Sequence, residues 1–163
     1  MSILADWPLV SAVRFAQTPS PKLLMTPQQI ALVQSTFSAV VPIADQTTAL
    51  FYARLFELDP SLRRLFHGQM ADQRRKLTDM LAFAVSQLER PDPLLSALRE
   101  LGARHLTYGV QDAHYATVGA ALIWTLRQGL GAAFSTEVEA AWTALYQLIS
   151  TTMRQSSAGA HAA

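Results

Sequence analysis

The sequence predicts an all-α protein of six or seven helices, and three observations carry that reading. Apolar residues recur at three- and four-residue spacing in one segment after another. Helix starts and stops punctuate those segments at Thr26-Pro27, Asp59-Pro60, Pro91-Asp92-Pro93 and Gly131. No stretch alternates with period two for long enough to make a strand.

Taken in order, Thr26-Pro27-Gln28-Gln29 reads as an N-cap, a proline at the first helical position and a glutamine able to reach back as in a capping box. Ile30, Val33, Phe37 and Val40 then keep a helical spacing until Pro42 ends the helix. A second helix runs from about Ile43 to Leu58, with Ala49, Tyr52, Ala53 and Phe56 along one face. A short third helix, Pro60 to Leu65, finishes on Phe66. After His67-Gly68 a long helix, about Ala71 to Gln87, places Gln73, Leu77, Met80, Leu81 and Ala84 on one side. Another carries Leu94, Leu95, Leu98, Leu101 and His105. Asp112 is the expected cap of the next, which runs to Gly129. Thr136 to Glu139 resembles a capping box for the last, which carries Trp142, Leu145, Ile149 and Met153.

A chain of 163 residues fits one domain, and half of it is hydrophobic with few charges, so it is globular. A net charge of +1 offers no electrostatic case for nucleic acid. The absence of cysteine excludes disulfides, zinc–thiolate centres and thiol catalysis. No apolar run reaches the roughly 20 residues of a membrane span, and a cytoplasmic location is expected. Residues 1–24 hold Pro8, Pro19 and Pro21 and keep no sustained period. They are expected to be a flexible extension, a short docking helix or a start-site artefact ahead of Met25. The folded domain is expected over 25–155, with a disordered tail over 156–163.

The stretch Leu101 to Gly119 holds the strongest candidate for chemistry. It ends an apolar helix on His105, turns through Gly109 and Val110, and starts a helix bearing Tyr115. A lone histidine is more often a structural residue than a ligand. A haem would need a neutral imidazole on one side of its iron, apolar walls, and a small polar group opposite. Phe66 fits a wedge against such a ring, and Tyr52 and Gln73 are polar residues on otherwise apolar faces. Solvent-facing positions suit those two equally well at this level. His67 and His114 fall at helix ends and His161 in the tail.

Four ordered motifs sharpen the picture: Phe51-Tyr52; Pro60 with Phe66; Asp72-Gln73-Arg74 with Leu77; and Arg104-His105 with Tyr115 and Val118-Gly119. Ala141-Trp142 in the last helix joins them. With these, about Thr26 to Gln155 resembles the bacterial single-domain globins. It is similar to the haem domain of the flavohaemoglobins, and closer still to thermophile-type globins with a tyrosine–glutamine distal pocket. The resemblance implies a globin fold of about seven helices around haem b, iron protoporphyrin IX. It implies His105 as the iron ligand, Phe66 packed on the haem face, Leu77 over the iron, and Tyr115 beside His105. Leu101 and Val110 would line the proximal side and Val118 the pocket edge, with Lys76 or Arg104 near a propionate. Tyr52 and Gln73 would be the distal pair that hydrogen-bonds a bound gas and serves catalysis.

The function implied is tight dioxygen binding with nitric oxide dioxygenase activity, in which dioxygen and nitric oxide give nitrate. The alternatives are non-catalytic oxygen transport or storage and a haem-based gas sensor. Dioxygen, nitric oxide and carbon monoxide are the expected ligands of a monomer or weak homodimer, with no nucleic acid or membrane partner. Two departures stand out. Flavohaemoglobins orient the proximal histidine with a tyrosine and a last-helix glutamate, and the glutamate position falls near Gly159. No flavin- or nicotinamide-binding sequence follows, so turnover would draw on an external flavin reductase.

Overall fold

The structure is a computed structural model that describes residues 24–161, with side chains described as far as Ser156. The expectation for residues 1–24 therefore lies outside the described residues except at Leu24. Six α-helices are present among the described residues: α1 (Pro27–Val40), α2 (Ala44–Leu58), α3 (Met70–Ser86), α4 (Asp92–Thr107), α5 (Asp112–Leu130) and α6 (Thr136–His161). Tight 3-10 turns at Val41–Ile43, Pro60–Leu65 and Gly131–Ala133 complete the path. The described residues include no strand. The fold is all-α, as the periodicity predicts.

Helix ends follow local chemistry, with three differences from expectation. Thr26 and Gln29 form the reciprocal box, the Gln29 amide donating to the Thr26 hydroxyl at 3.1 Å and the Thr26 amide to Gln29 Oε1 at 3.0 Å. The short element at Pro60 is 3-10 and not α. Its bonds run three residues back, from Leu62 to Asp59 and from Phe66 to Arg63 at 3.1 Å each, and the chain goes extended at Phe66. The cap of α5 is Gln111 and not Asp112. The Gln111 amide donates to His114 Nδ1 at 3.0 Å, leaving Asp112 in the first turn, 3.6 Å from Arg154. The cap of α6 is Ser135, whose hydroxyl accepts from the Val138 amide at 3.2 Å, one residue ahead of the box read in the sequence. That helix continues to His161, since no proline stops it, and the Ser156 hydroxyl ties it to α4 by donating to the Arg99 carbonyl at 2.7 Å.

The core forms where α6 crosses α4 and α1, and where α2 packs on α5. Trp142 is fully buried in it, and its indole N–H donates to the Thr36 hydroxyl at 2.9 Å. The Thr36 hydroxyl in turn donates to the Leu32 carbonyl at 2.6 Å, so the buried polar chain ends on backbone. Leu94, Leu98 and Leu101 of α4 are almost wholly buried, each worth about 2 kcal/mol of apolar transfer.

The α4–α6 crossing leaves no space for a side chain at Gly102, where a Cβ would sit 2.7 Å from the Met153 Cα and on its carbonyl. Backbone thus meets backbone one turn before His105. Gly109, at φ +86°, makes the reversal into α5 that a residue with a Cβ adopts only under strain. Replacing Gly102 with valine should force the helices apart and lower stability by about 1–3 kcal/mol, read as a fall in the urea midpoint at unchanged slope. An unchanged midpoint would mean the crossing yields easily.

Candidate functional site

Between α2, α3, α4, α5 and α6 lies a cavity with about 750 Å³ of empty space, part of it open to solvent at its mouth. Its walls are almost wholly apolar. Eight of the nine site residues named from the sequence line it: Tyr52, Phe66, Leu77, Leu101, His105, Val110, Tyr115 and Val118. The ninth, Gln73, does not.

His105 reaches the cavity from the last turn of α4, held there by Leu98 and Leu101 beneath it. Only 9% of it is exposed, and burial lowers its pKa to about 4. The Leu101 carbonyl one turn back works in the opposite direction without offsetting burial. Nδ1 is buried and completes no hydrogen bond. The ring is therefore neutral at ordinary pH, the state in which imidazole ligates a metal.

Across the cavity, Asp59 fixes the entry to the Pro60 turn by accepting from the Ser61 amide at 3.0 Å and the Ser61 hydroxyl at 2.6 Å. That turn delivers Phe66 edge-on to Tyr52 at 5.3 Å and to Phe56 at 5.6 Å between ring centroids. Arg63 caps the cluster from outside, 4.8 Å over Phe56. The Tyr52 hydroxyl donates to the Gln73 backbone carbonyl at 3.3 Å, long for such a bond. Burial holds that hydroxyl protonated, well above the usual phenol range, so it remains a donor. The Gln73 side chain is buried beside it, but Nε2 donates to the His67 carbonyl at 2.9 Å. The two distal candidates are thus neighbours with different occupations.

Several cavity residues escaped the sequence reading. Tyr146, Ile149 and Met153 lie at three- and four-residue spacing on α6 and complete the wall beneath Tyr115. The spacing is visible in the sequence, but a face that lines a cavity and a face that fills a core look alike there. The Tyr146 hydroxyl donates to the Tyr115 carbonyl, and its ring fits only because Gly119 has no side chain: a Cβ there would meet it at 2.5 Å. His114, read as a helix-end residue, also lines the cavity, for its tie to the Gln111 amide turns the ring inward. Lys76 and Arg104 are half-buried and outside the lining. Gly159 lies where the side chains fall outside the described residues.

Among the described residues no three histidines or carboxylates gather closely enough to hold a bare metal ion. A metal at His105 must bring its other ligands with it. A porphyrin does so, and the apolar slot, the neutral imidazole of His105 and the aromatic Phe66 fit that group. A sequence profile described as "Globin" matches residues 49–153, and the chain belongs to the globin family. Haem is the cofactor expected of it.

The flavohemoprotein of Bordetella pertussis is 32% identical over 126 residues, 76% of this chain and 31% of that protein. That of Vibrio cholerae is 30% identical over 126 residues, 76% of this chain and 32% of that protein. This chain thus spans about a third of the length of the flavohemoproteins it matches. A neuroglobin from Chaenocephalus aceratus is 31% identical over 120 residues, 65% of this chain and 76% of that protein. The crystal structure of flavohemoglobin from Malassezia yamatoensis, with bound FAD and heme, shares the fold at a TM-score of 0.70 and 22% identity, over 84% of this chain and 37% of that one. Among the described residues no helix is long and apolar enough to cross a membrane.

The buried imidazole predicts an acid sensitivity of the apoprotein. The unfolded chain protonates His105 near pH 6.5 and the folded one only near 4, so stability is full above 6.5 and falls as pH drops through that window. His105→Leu should remove about 3 kcal/mol of the loss between pH 6.5 and 4, measured by urea unfolding of apoprotein. Parallel pH profiles for the two proteins would place the imidazole in solvent.

Proposed function

We propose that this chain binds dioxygen at haem and combines it with nitric oxide and one electron to give nitrate, the electron coming from a separate flavoprotein reductase. Haem supplies the iron centre at which dioxygen is held and reacted. The chain supplies the rest. His105 offers a neutral ring to the iron. Phe66, Leu77, Leu101, Val110 and Val118 give apolar walls that keep water from the reacting gases. The observation that carries the reading is the Tyr52 hydroxyl: buried, protonated, and tied only by a 3.3 Å bond that a better acceptor can displace. In an apolar pocket such a donor favours the ligand that carries partial negative charge, which dioxygen does and carbon monoxide hardly does. The flavohemoprotein relatives, whose name pairs flavin with haem, support a flavin as the source of the electron.

A second reading rests on Gln73. With its amide donated to the His67 carbonyl, one donor serves the cavity instead of two, and weaker retention suits oxygen binding without turnover. Nitric oxide consumption by the haem-loaded protein, with a flavin reductase and reduced nicotinamide present, separates the two. Stoichiometric nitrate over many turnovers carries the dioxygenase, and a single turnover carries the oxygen binder.

Tyr52→Phe should raise the dioxygen off-rate roughly tenfold or more and leave carbon monoxide association nearly unchanged. Laser-flash and stopped-flow measurements on both proteins check it. Equal dioxygen off-rates would remove Tyr52 from the role given to it.

A further inference from the structure

The outer side of the α4–α6 pair carries an open groove with about 1300 Å³ of empty space, much of it open to solvent. Leu95, Ala144 and Leu148 give it an apolar floor, with Gln155 along its rim and Arg99 as its one charged lining residue. Leu24, the first described residue, is 52% exposed and lines the same groove. The chain therefore enters the fold from the groove itself, and 23 residues precede that point.

We propose that residues 1–23 of this chain dock along the groove, their apolar run of Trp7, Leu9, Val10, Val13 and Phe15 covering Leu95, Ala144 and Leu148. The lengths match. The groove follows α6 from Ala144 to Ser156, a rise of about 18 Å. The six residues 18–23 span up to about 20 Å when extended, which their two prolines favour, so the apolar run can lie over the floor without a stretched connection. Docking there covers the exposed apolar part of the groove floor, on the flank of α4 next to its buried Leu94, Leu98 and Leu101 stripe. The inference goes beyond the gas chemistry and does not rest on it.

The chain has no cysteine, so paired cysteines report contact directly. Val10→Cys with Gln147→Cys at the groove rim is compared with Val10→Cys and Leu50→Cys on α2, in the full-length haem-loaded protein under mild oxidant. The haem spectrum serves as the check on folding. The groove pair should close within one molecule about tenfold faster or more than the control, read by mass spectrometry. Leu148→Glu, placing a charge on the floor, should return it to the control rate. Equal rates for the two pairs would overturn the proposal. So would a disulfide formed mainly between molecules with a concentration-dependent rate, which would give the groove to a second copy of the chain.

Discussion

The close crossing of α4 on α6 is the constraint on which the rest of the structure depends. At Gly102 the two backbones touch, and no side chain separates them. One turn later α4 delivers His105 into the cavity, and one helix face later α6 supplies Tyr146, Ile149 and Met153 as part of its wall. A rigid histidine matters because its position sets where a bound group sits between the walls. The same pair of helices lines the outer groove, so the crossing borders both surfaces of interest.

The cavity is built by excluding polar groups and then admitting a few with defined occupations. His105 is kept neutral by burial. Tyr52 is kept protonated by burial and is loosely held by a carbonyl. Tyr146 and His114 are each turned by a bond to backbone, the first to the Tyr115 carbonyl and the second to the Gln111 amide. His105, Tyr52 and Tyr146 are thereby neutral donors or acceptors. In an apolar enclosure the interactions of such groups with a small polar ligand are undiluted by water, which gives one hydroxyl leverage over which gas is retained.

Much of this was legible in the chain. The α-helices follow from apolar periodicity, and the Thr26–Gln29 box is a matter of residues three apart. Six of the eight cavity residues could be named because they belong to an ordered set of motifs, and Leu101 and Val110 because they flank His105. What failed was local or conformational. The caps of α5 and α6 each fall one residue earlier than the acidic or hydroxyl residue that the sequence offered, because Gln111 pairs with His114 and Ser135 is equally able to cap. Ile149 and Met153 stand in the apolar stripe of the last helix, and nothing in such a stripe says whether it meets side chains or a void.

The sequence by itself determined the helices, the apolar faces, and a histidine, His105, closing one of those apolar faces. Those are properties of neighbours along the chain, written in spacing and capping chemistry. The tertiary structure alone decided that Gly102 is a point of contact, that His114 turns inward, and that Gln73 gives its amide to His67 while Tyr52 faces the cavity. Each of these depends on which backbone group from another segment, or from beyond a turn, comes within hydrogen-bond or van der Waals reach. Spacing along one helix carries no record of that.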